Sequence, residues 1–423
     1  MRHLADDETM EGMTASCGTR PRWLSIVGIG EDGREGLPPV AKRLIDSAEL
    51  LVGGARHLAI AGQVSGEKLA WASPFRDTIP AILEREGRPV CVLASGDPFW
   101  FGAGAVLAEY ISPEEMIVLP APSTFSLAAS RLGWPLQETV TLGLHSQPVE
   151  TLRPHLHRNR SILALSANGA TPKKVANLLC QHGFGRSALT VMEAIGGPNE
   201  VIHHALADEM AGRDFGPLNV MAMKIEASAD ALPIALMPGL PDDYFEHDGQ
   251  ITKREVRAIT LSSLRPEPGE LLWDVGCGSG SVAIEWLLRH TSMKAIGFER
   301  SPERAARAAR NAAALGVPCL DIREGEAPAI MNGAPPPDAI FVGGGVSSPE
   351  LMAWCWEALK PGGRIVCNAV TFAGQIELMR CREGWGGALT RIVIEREEQV
   401  GRHRGWRPAM PVLQWVGSKP WSS

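Results

Sequence analysis

The chain has few cysteines for its length, and they are scattered: of 423 residues eight are Cys, and no two stand closer than Cys355 and Cys367. With no C-x-x-C pair, zinc-ribbon and dithiol chemistry are excluded, and buried thiols in a reducing compartment are expected. No run approaches the roughly 18–20 apolar residues of a spanning helix. The acidic start, with Asp6, Asp7, Glu8 and Glu11, has none of the apolar stretch of a secretory signal. A cytoplasmic protein without a membrane span is expected, poorly ordered up to about Pro21. Positive charge is also in deficit: 41 basic against 48 acidic residues leave −7. That argues against duplex nucleic acid as a partner, whose affinity comes from neutralised phosphates, so any anionic ligand must meet a local patch. Tyrosine is scarce, two against twelve tryptophans, and a core role accounts for most of the latter. Glycine (45) and proline (32) together stay below the roughly 25–30% of low-complexity chains, which excludes disorder as the main theme.

What is present is an alternation. From Trp23 onward, short apolar runs closed by Gly, Asp or Pro (WLSIVGIG, PVCVLASGD, MIVLPAP, SILALS) take turns with longer helical patterns (PPVAKRLIDSAELLVGG, TFSLAASRLG, TPKKVANLLCQHG). Such runs mark strands buried on both faces, and the alternation marks an α/β architecture. It stops at ALPIALMPGLPDDYF, where Pro233, Pro238, Gly239 and Pro241 break helix and strand alike. This predicts one domain over 22–230, a linker over 231–245 and a second domain over 246–423. The second opens with the amphipathic helix TKREVRAITLSSL, Thr252 at its N-cap, followed by strand, glycine turn and helix in LLWDVGCGSGSVAIEWLLRH.

The strongest motif is Asp274-Val-Gly276-Cys277-Gly278-Ser279-Gly280, directly after a strand. Alternate glycines let the backbone approach a ligand closely while the next helix points its N–H groups at it. Glu299 closes the following strand, where a carboxylate can take both hydroxyls of a ribose. Ser281 stands where a dinucleotide fingerprint needs its third glycine, which favours a nucleoside without pyrophosphate. Near the other end, Gly28-Ile-Gly30-Glu-Asp-Gly33 does satisfy G-x-G-x-x-G. Against a dinucleotide there, Glu31 and Asp32 would face a pyrophosphate with like charge, and no acid ends the next strand. His203-His204 and the pair His155/His157 lack partners at ligand spacing, so no metal site is expected.

The glycine turn with its second-strand acid resembles class I S-adenosylmethionine-dependent methyltransferases. The ordered series VGIGEDG, LASGDPFWFG, APSTFSLAASRLGWP and VMEAIGGPNE resembles the class III methyltransferases of tetrapyrrole biosynthesis. That resemblance implies a two-lobed tetrapyrrole methylase fold, followed here by a Rossmann-like class I domain. It implies cofactor contacts at Gly96, Asp97, Pro98, Ser123 and Thr124, and a substrate-facing loop at Gly28 and Gly30. Both types in one chain, with GQITKREVRA, GFERSPE, REGEAP and LKPGGRIV in the second half, resemble a bifunctional methyltransferase family of the cobalamin pathway. The implied reaction methylates carbons 5 and 15 of a precorrin and decarboxylates the ring-C acetate. The implied donor contacts are Thr252, Gly276, Cys277, Gly278, Ser279, Gly280, Glu299, Gly325 and Ala327, giving two S-adenosylmethionine sites in all.

A precorrin carries acetates and propionates, which arginine forks meet two bonds at a time. Arg402, Arg404 and Arg407 are candidates for such a clamp, with a solvated hairpin as the alternative. Lys253 and Arg257, one helical turn apart, are candidates too, with ordinary pairing to nearby acids as theirs. A homo-oligomer is expected. Two other readings stay open: a fused methyltransferase acting on RNA or another small molecule, and an N-terminal half that only binds ligand.

Overall fold

A strand buried on both faces favours apolar or small residues throughout, and Leu24–Ile29, with Ser25 its one polar side chain, has all six residues buried. It is β1 of a computed structural model that describes residues 22–210 and 212–421; the poorly ordered start expected up to Pro21 lies outside them. With β2 (Leu50–Gly53), β3 (Glu67–Ala70), β4 (Val90–Ser95) and β5 (Met116–Leu119) it forms a sheet of order β3-β2-β4-β1-β5. All four ladders are parallel. The chain leaves β1 toward β2 and leaves β4 toward β5, so connections diverge around β1 and β4. That is where ligands bind in open parallel sheets.

A second sheet joins β6 (Thr139–Gly143), β7 (Ser161–Leu165), β8 (Ala188–Glu193), β9 (Val201–Leu206) and β10 (Asn219–Lys224) in the order β6-β7-β10-β8-β9. The third is built from β11 (Leu271–Val275), β12 (Lys294–Glu299), β13 (Asp321–Glu324), β14 (Ala339–Val342), β15 (Arg364–Ala369), β16 (Ala388–Ile392) and β19 (Val412–Ser418). Its order is β13-β12-β11-β14-β15-β19-β16, with β19 antiparallel to both neighbours. One face packs Leu272, Phe341 and Val366 with Val282 and Trp286 of the helix Ser281–Leu287; the other packs Trp273, Ile340 and Ile365 with Trp356 and Trp415. Between β16 and β19 the chain makes a two-stranded ribbon, β17 (Glu395–Val400) paired with β18 (His403–Pro408).

The chain divides into two units. One runs to Gly143 and adds Thr190–His203 and Phe215–Ala222; the other holds Leu144–Leu189, His204–Asp214 and everything from Met223. The expected linker at 231–245 is not free chain. Ile234, Leu240 and Phe245 are buried in the core of the third sheet, and Glu285 accepts from the N–H groups of Gly239 and Leu240. The prolines break regular structure there, as expected, without detaching the segment. The helix Arg254–Leu264 begins one residue later than expected: Lys253, not Thr252, is its N-cap, and the Thr252 carbonyl accepts instead from Arg257.

Candidate functional sites

In the second unit the glycine turn lies at the carboxyl end of β11, between β12 and β14, where the connections again diverge. A Cβ at Gly276 would stand 2.9 Å from the Gly344 backbone, so glycine is required there by contact. Gly278 is different: φ is +56° and a Cβ would meet nothing nearer than the Gln250 carbonyl at 3.9 Å. The turn therefore opens toward the 250–252 segment, which carries Thr252. Glu299, at the end of β12, is 5% exposed. Its Oε2 accepts from Gly278 N–H (2.9 Å) and its Oε1 from Ser301 N–H (3.0 Å). Each oxygen keeps a second lone pair, so the carboxylate can brace the turn and still take ribose hydroxyls.

Asp274 is fully buried, its Oδ2 accepting from Ala283 N–H while Oδ1 has no partner among the described residues. Burial pushes its carboxyl up to about 7, with the nearby Glu299 charge adding to the effect. The Ser279 hydroxyl is likewise buried and unpartnered. An orphaned carboxylate oxygen and an orphaned hydroxyl at one turn fit a cationic nucleoside with N–H and O–H groups, as S-adenosylmethionine is. Burial holds the Cys277 thiol protonated. Gly325 donates its N–H to the Glu299 carbonyl, which places the loop bearing Gly325 and Ala327 beside the same strand end.

Two residues that sequence reasoning missed hold this region. Asn311 donates to the carbonyls of Ser279 and Glu246. Glu285, wholly buried, pairs with Arg257 at 2.6 Å. A lone Glu in the otherwise apolar run SVAIEWL was the available signal, because a buried carboxylate demands a buried cation. That cation is Arg257, which corrects its expected role as a substrate clamp. Its guanidinium is 0% exposed, lies over Phe245 at 4.7 Å and is committed to Glu285, Asp242 and the carbonyls of Thr252 and Leu240. Lys253 remains at the surface, 4.0 Å from Asp242. Arg404 and Arg407 sit on the exposed ribbon paired with Glu397 and Glu398, and Arg402 lies in its turn. This is the solvated-hairpin alternative, not a preformed clamp.

In the first unit the expected residues do come together. A Cβ on Gly28 would stand 2.0 Å from the Gly96 carbonyl and 2.5 Å from Ala121 N, so β1, β4 and the loop after β5 meet at backbone distance. Gly96 lies beside Pro122 and Ser123. Asp97 caps its own loop by accepting from Phe99 N–H at 2.8 Å. Ser123 caps the helix that begins at Thr124, accepting from Ser126 N–H. Pro98 is buried beneath Gly102, Phe99 and Trp100 are half-exposed, and Gly30 sits in the turn after β1. Beside this junction Glu31 pairs with Arg56, and His57 with Ser95; of these four the sequence had drawn attention to Glu31 alone, as a charge unfavourable to a pyrophosphate. Among the described residues no group of three or more His, Cys, Asp or Glu is arranged to hold a metal, and no helix is long and apolar enough to cross a membrane.

Glycine-rich strand ends at the point where connections diverge, in sheets whose core strands run parallel, are the arrangement of nucleoside-binding α/β enzymes, and comparison with known proteins places the chain among methyltransferases. Residues 24–211 match the family of tetrapyrrole (corrin/porphyrin) methylases, and residues 243–419 match a precorrin methyltransferase domain. A Sinorhizobium protein named precorrin-6Y C(5,15)-methyltransferase [decarboxylating] is 50% identical over 398 residues, 94% of this chain and 96% of the relative. The chain belongs to the family of decarboxylating precorrin-6Y C(5,15)-methyltransferases, enzymes of cobalamin biosynthesis. Two shorter relatives each align with under half of it. One, from Saccharolobus solfataricus, is named "Probable cobalt-precorrin-6B C(15)-methyltransferase (decarboxylating)" and is 39% identical over 44% of this chain and 98% of its own length. The other, cobalt-precorrin-7 C(5)-methyltransferase of Salmonella typhimurium, is 28% identical over 43% of this chain and 89% of its own.

Proposed function

We propose that the two halves divide the reaction. The C-terminal half methylates carbon 15 of precorrin-6B and removes the ring-C acetate carboxyl, and the N-terminal half methylates carbon 5 to give precorrin-8. Each half has its own S-adenosylmethionine site. The observation that carries this reading is that the Gly276–Gly280 turn and the Gly28–Gly96–Ala121 junction close separate sheets. The shorter relatives support it, because their names assign carbons 15 and 5 to different proteins.

S-adenosylmethionine supplies an activated methyl group, so the protein's main task is alignment, worth up to about 7–11 kcal/mol in well-oriented systems. In the C-terminal half Glu299 and the turn hold the nucleoside, with Thr252, Gly325 and Ala327 flanking it. In the N-terminal half Gly96-Asp97-Pro98 and Ser123-Thr124 hold the donor. There the half-exposed rings of Phe99 and Trp100 offer an apolar face to a conjugated macrocycle.

The test uses full-length variants with precorrin-6B, mass analysis of products and calorimetric donor titration. The wild-type protein should bind two donors. Gly96→Val, at φ +55° and against Pro122, should bind one and stop at a product with one methyl gained and one carbon dioxide lost. Gly278→Val should yield no such product. Both methyls from folded Gly96→Val, or carbon 15 methylation by Gly278→Val, would overturn the division.

A further inference from the structure

The last residue of β4, Ser95, immediately precedes the Gly96 loop and is exposed at the strand end. Its Oγ lies 2.8 Å from His57 Nε2. Arg56 Nη2 lies 2.7 Å from the same Nε2 and 3.1 Å from the same Oγ. A guanidinium only donates, so Nε2 is the unprotonated nitrogen of His57 and the ring proton sits on Nδ1, which is buried without a partner among the described residues. The Ser95 O–H therefore donates to His57. Glu31, from the turn after β1, pairs with Arg56 and offsets its charge. Arg56, Glu31 and Ser95 are the charged and hydrogen-bonding groups facing His57. Burial, with the Arg56 charge second, holds its imidazole down at about 4 and therefore neutral at physiological pH. The result is a hydroxyl on an exposed residue beside the donor loop, backed by a neutral imidazole whose one lone pair is shared between the Ser95 O–H and the Arg56 N–H. Neither the family reading nor the alignment requirement uses this arrangement.

Methylation of a ring carbon that carries hydrogen leaves a proton to remove. The ring carbon forms its bond to the methyl group, the electrons of the broken carbon–sulfur bond stay on sulfur, and the methylated ring is left one proton in excess. We propose that the Ser95 hydroxyl takes that proton from the macrocycle in the N-terminal half while passing its own to His57 Nε2, with Arg56 and Glu31 fixing the imidazole tautomer beforehand and Arg56 Nη2 shifting its hydrogen bond from Nε2 to Ser95 Oγ, which it already reaches at 3.1 Å, as the proton arrives. Ser95 is the group that meets the substrate, and His57 acts through it. The proposal rests on the reading that this half methylates carbon 5.

The experiment follows the second methylation in the full-length protein, supplied with the singly methylated, decarboxylated intermediate. Ser95→Ala and His57→Gln should each lower kcat for that step roughly 100-fold, within the range of positioned proton transfer, with KM and donor affinity little changed. Ser95→Thr, which keeps the hydroxyl, should restore most of the rate. The acid limb of the wild-type pH profile should disappear in His57→Gln. Independently of turnover, the imidazole ¹⁵N signals of His57, followed by NMR against pH, should show Nδ1 protonated in the neutral form and shift in Ser95→Ala. Equal rates in wild type and folded Ser95→Ala, or an Nε2-protonated neutral imidazole, would overturn the proposal. If Gly96→Val also retains the second methylation, the underlying assignment of the half has failed instead.

Discussion

The two candidate donor regions solve one problem with different materials. In the C-terminal half the loop is held by buried charge: Glu299 grips Gly278, Asp274 grips the next helix, and the Glu285–Arg257 pair ties Gly239–Leu240 and Thr252 beside it. In the N-terminal half backbone touches backbone instead, where Gly28, Gly96 and Ala121 meet. A site built on charge can be unmade one group at a time. One built on contact tolerates almost no added atom.

The largest effect should come from stranding a buried charge. Arg257→Ala leaves Glu285 without its cation and should cost about 3–5 kcal/mol of stability, read from urea midpoints. A destabilisation of only a few tenths, together with a raised KM for precorrin, would return Arg257 to the role of substrate clamp. Gly28→Ala should cost about 1–3 kcal/mol through overpacking and impair the second methylation ahead of the first. If it is neutral, the strand ends are not as closely joined as the 2.0 Å approach requires.

Glu299→Gln should weaken donor binding to the C-terminal half by about 1–3 kcal/mol while leaving the other half's affinity intact, as calorimetry would report. Unchanged affinity would confine Glu299 to bracing the loop.

The pH response should separate the halves by sign. Asp274 has a folded value of about 7 against an ordinary 3.8, so the folded chain binds the extra proton. Its contribution is full below the unfolded value and is lost as pH rises toward 7. His57 has a folded value of about 4 against 6.5; its contribution is present above 6.5 and is lost as pH falls toward 4. Urea midpoints between pH 4 and 7 for Asp274→Asn and His57→Gln should therefore depart from wild type with opposite slopes. The smallest effect is expected on the ribbon. Arg404→Ala should leave the unfolding midpoint and both KM values unchanged, because exposed ion pairs contribute little.

The same contrast explains what the sequence disclosed. Asp274 to Gly280 is contiguous and Glu299 closes the next strand, so the C-terminal region was legible from residue types in order. In the N-terminal half the glycine and GDP loops were legible as a series, yet the His57–Ser95 pair was not, since 38 residues separate its members and only the β2–β4 pairing brings them near. Arg257 was misread because helical spacing from Lys253 says which residues are neighbours, not whether they face inward. The placement of Leu144–Leu189 was hidden for another reason. Arg153, nearly buried, donates to the carbonyls of Ala314 and Leu232, and backbone acceptors leave no mark in a sequence.

That last feature bears on how such a chain could be divided, in evolution or at the bench. A gene broken at the proline cluster itself, near Pro241, would strand Ile234 and Leu240 outside the core they complete and remove Gly239 and Leu240 from Glu285. A break ahead of Leu232 keeps that core whole but still strips Arg153 of its acceptors, leaving an unsatisfied guanidinium on the amino-terminal product. Fission there cuts through one compact unit: the carboxyl-terminal piece loses Leu144–Leu189 from beside Ala314 and Gly316, and its former companion keeps Arg153 without its acceptors.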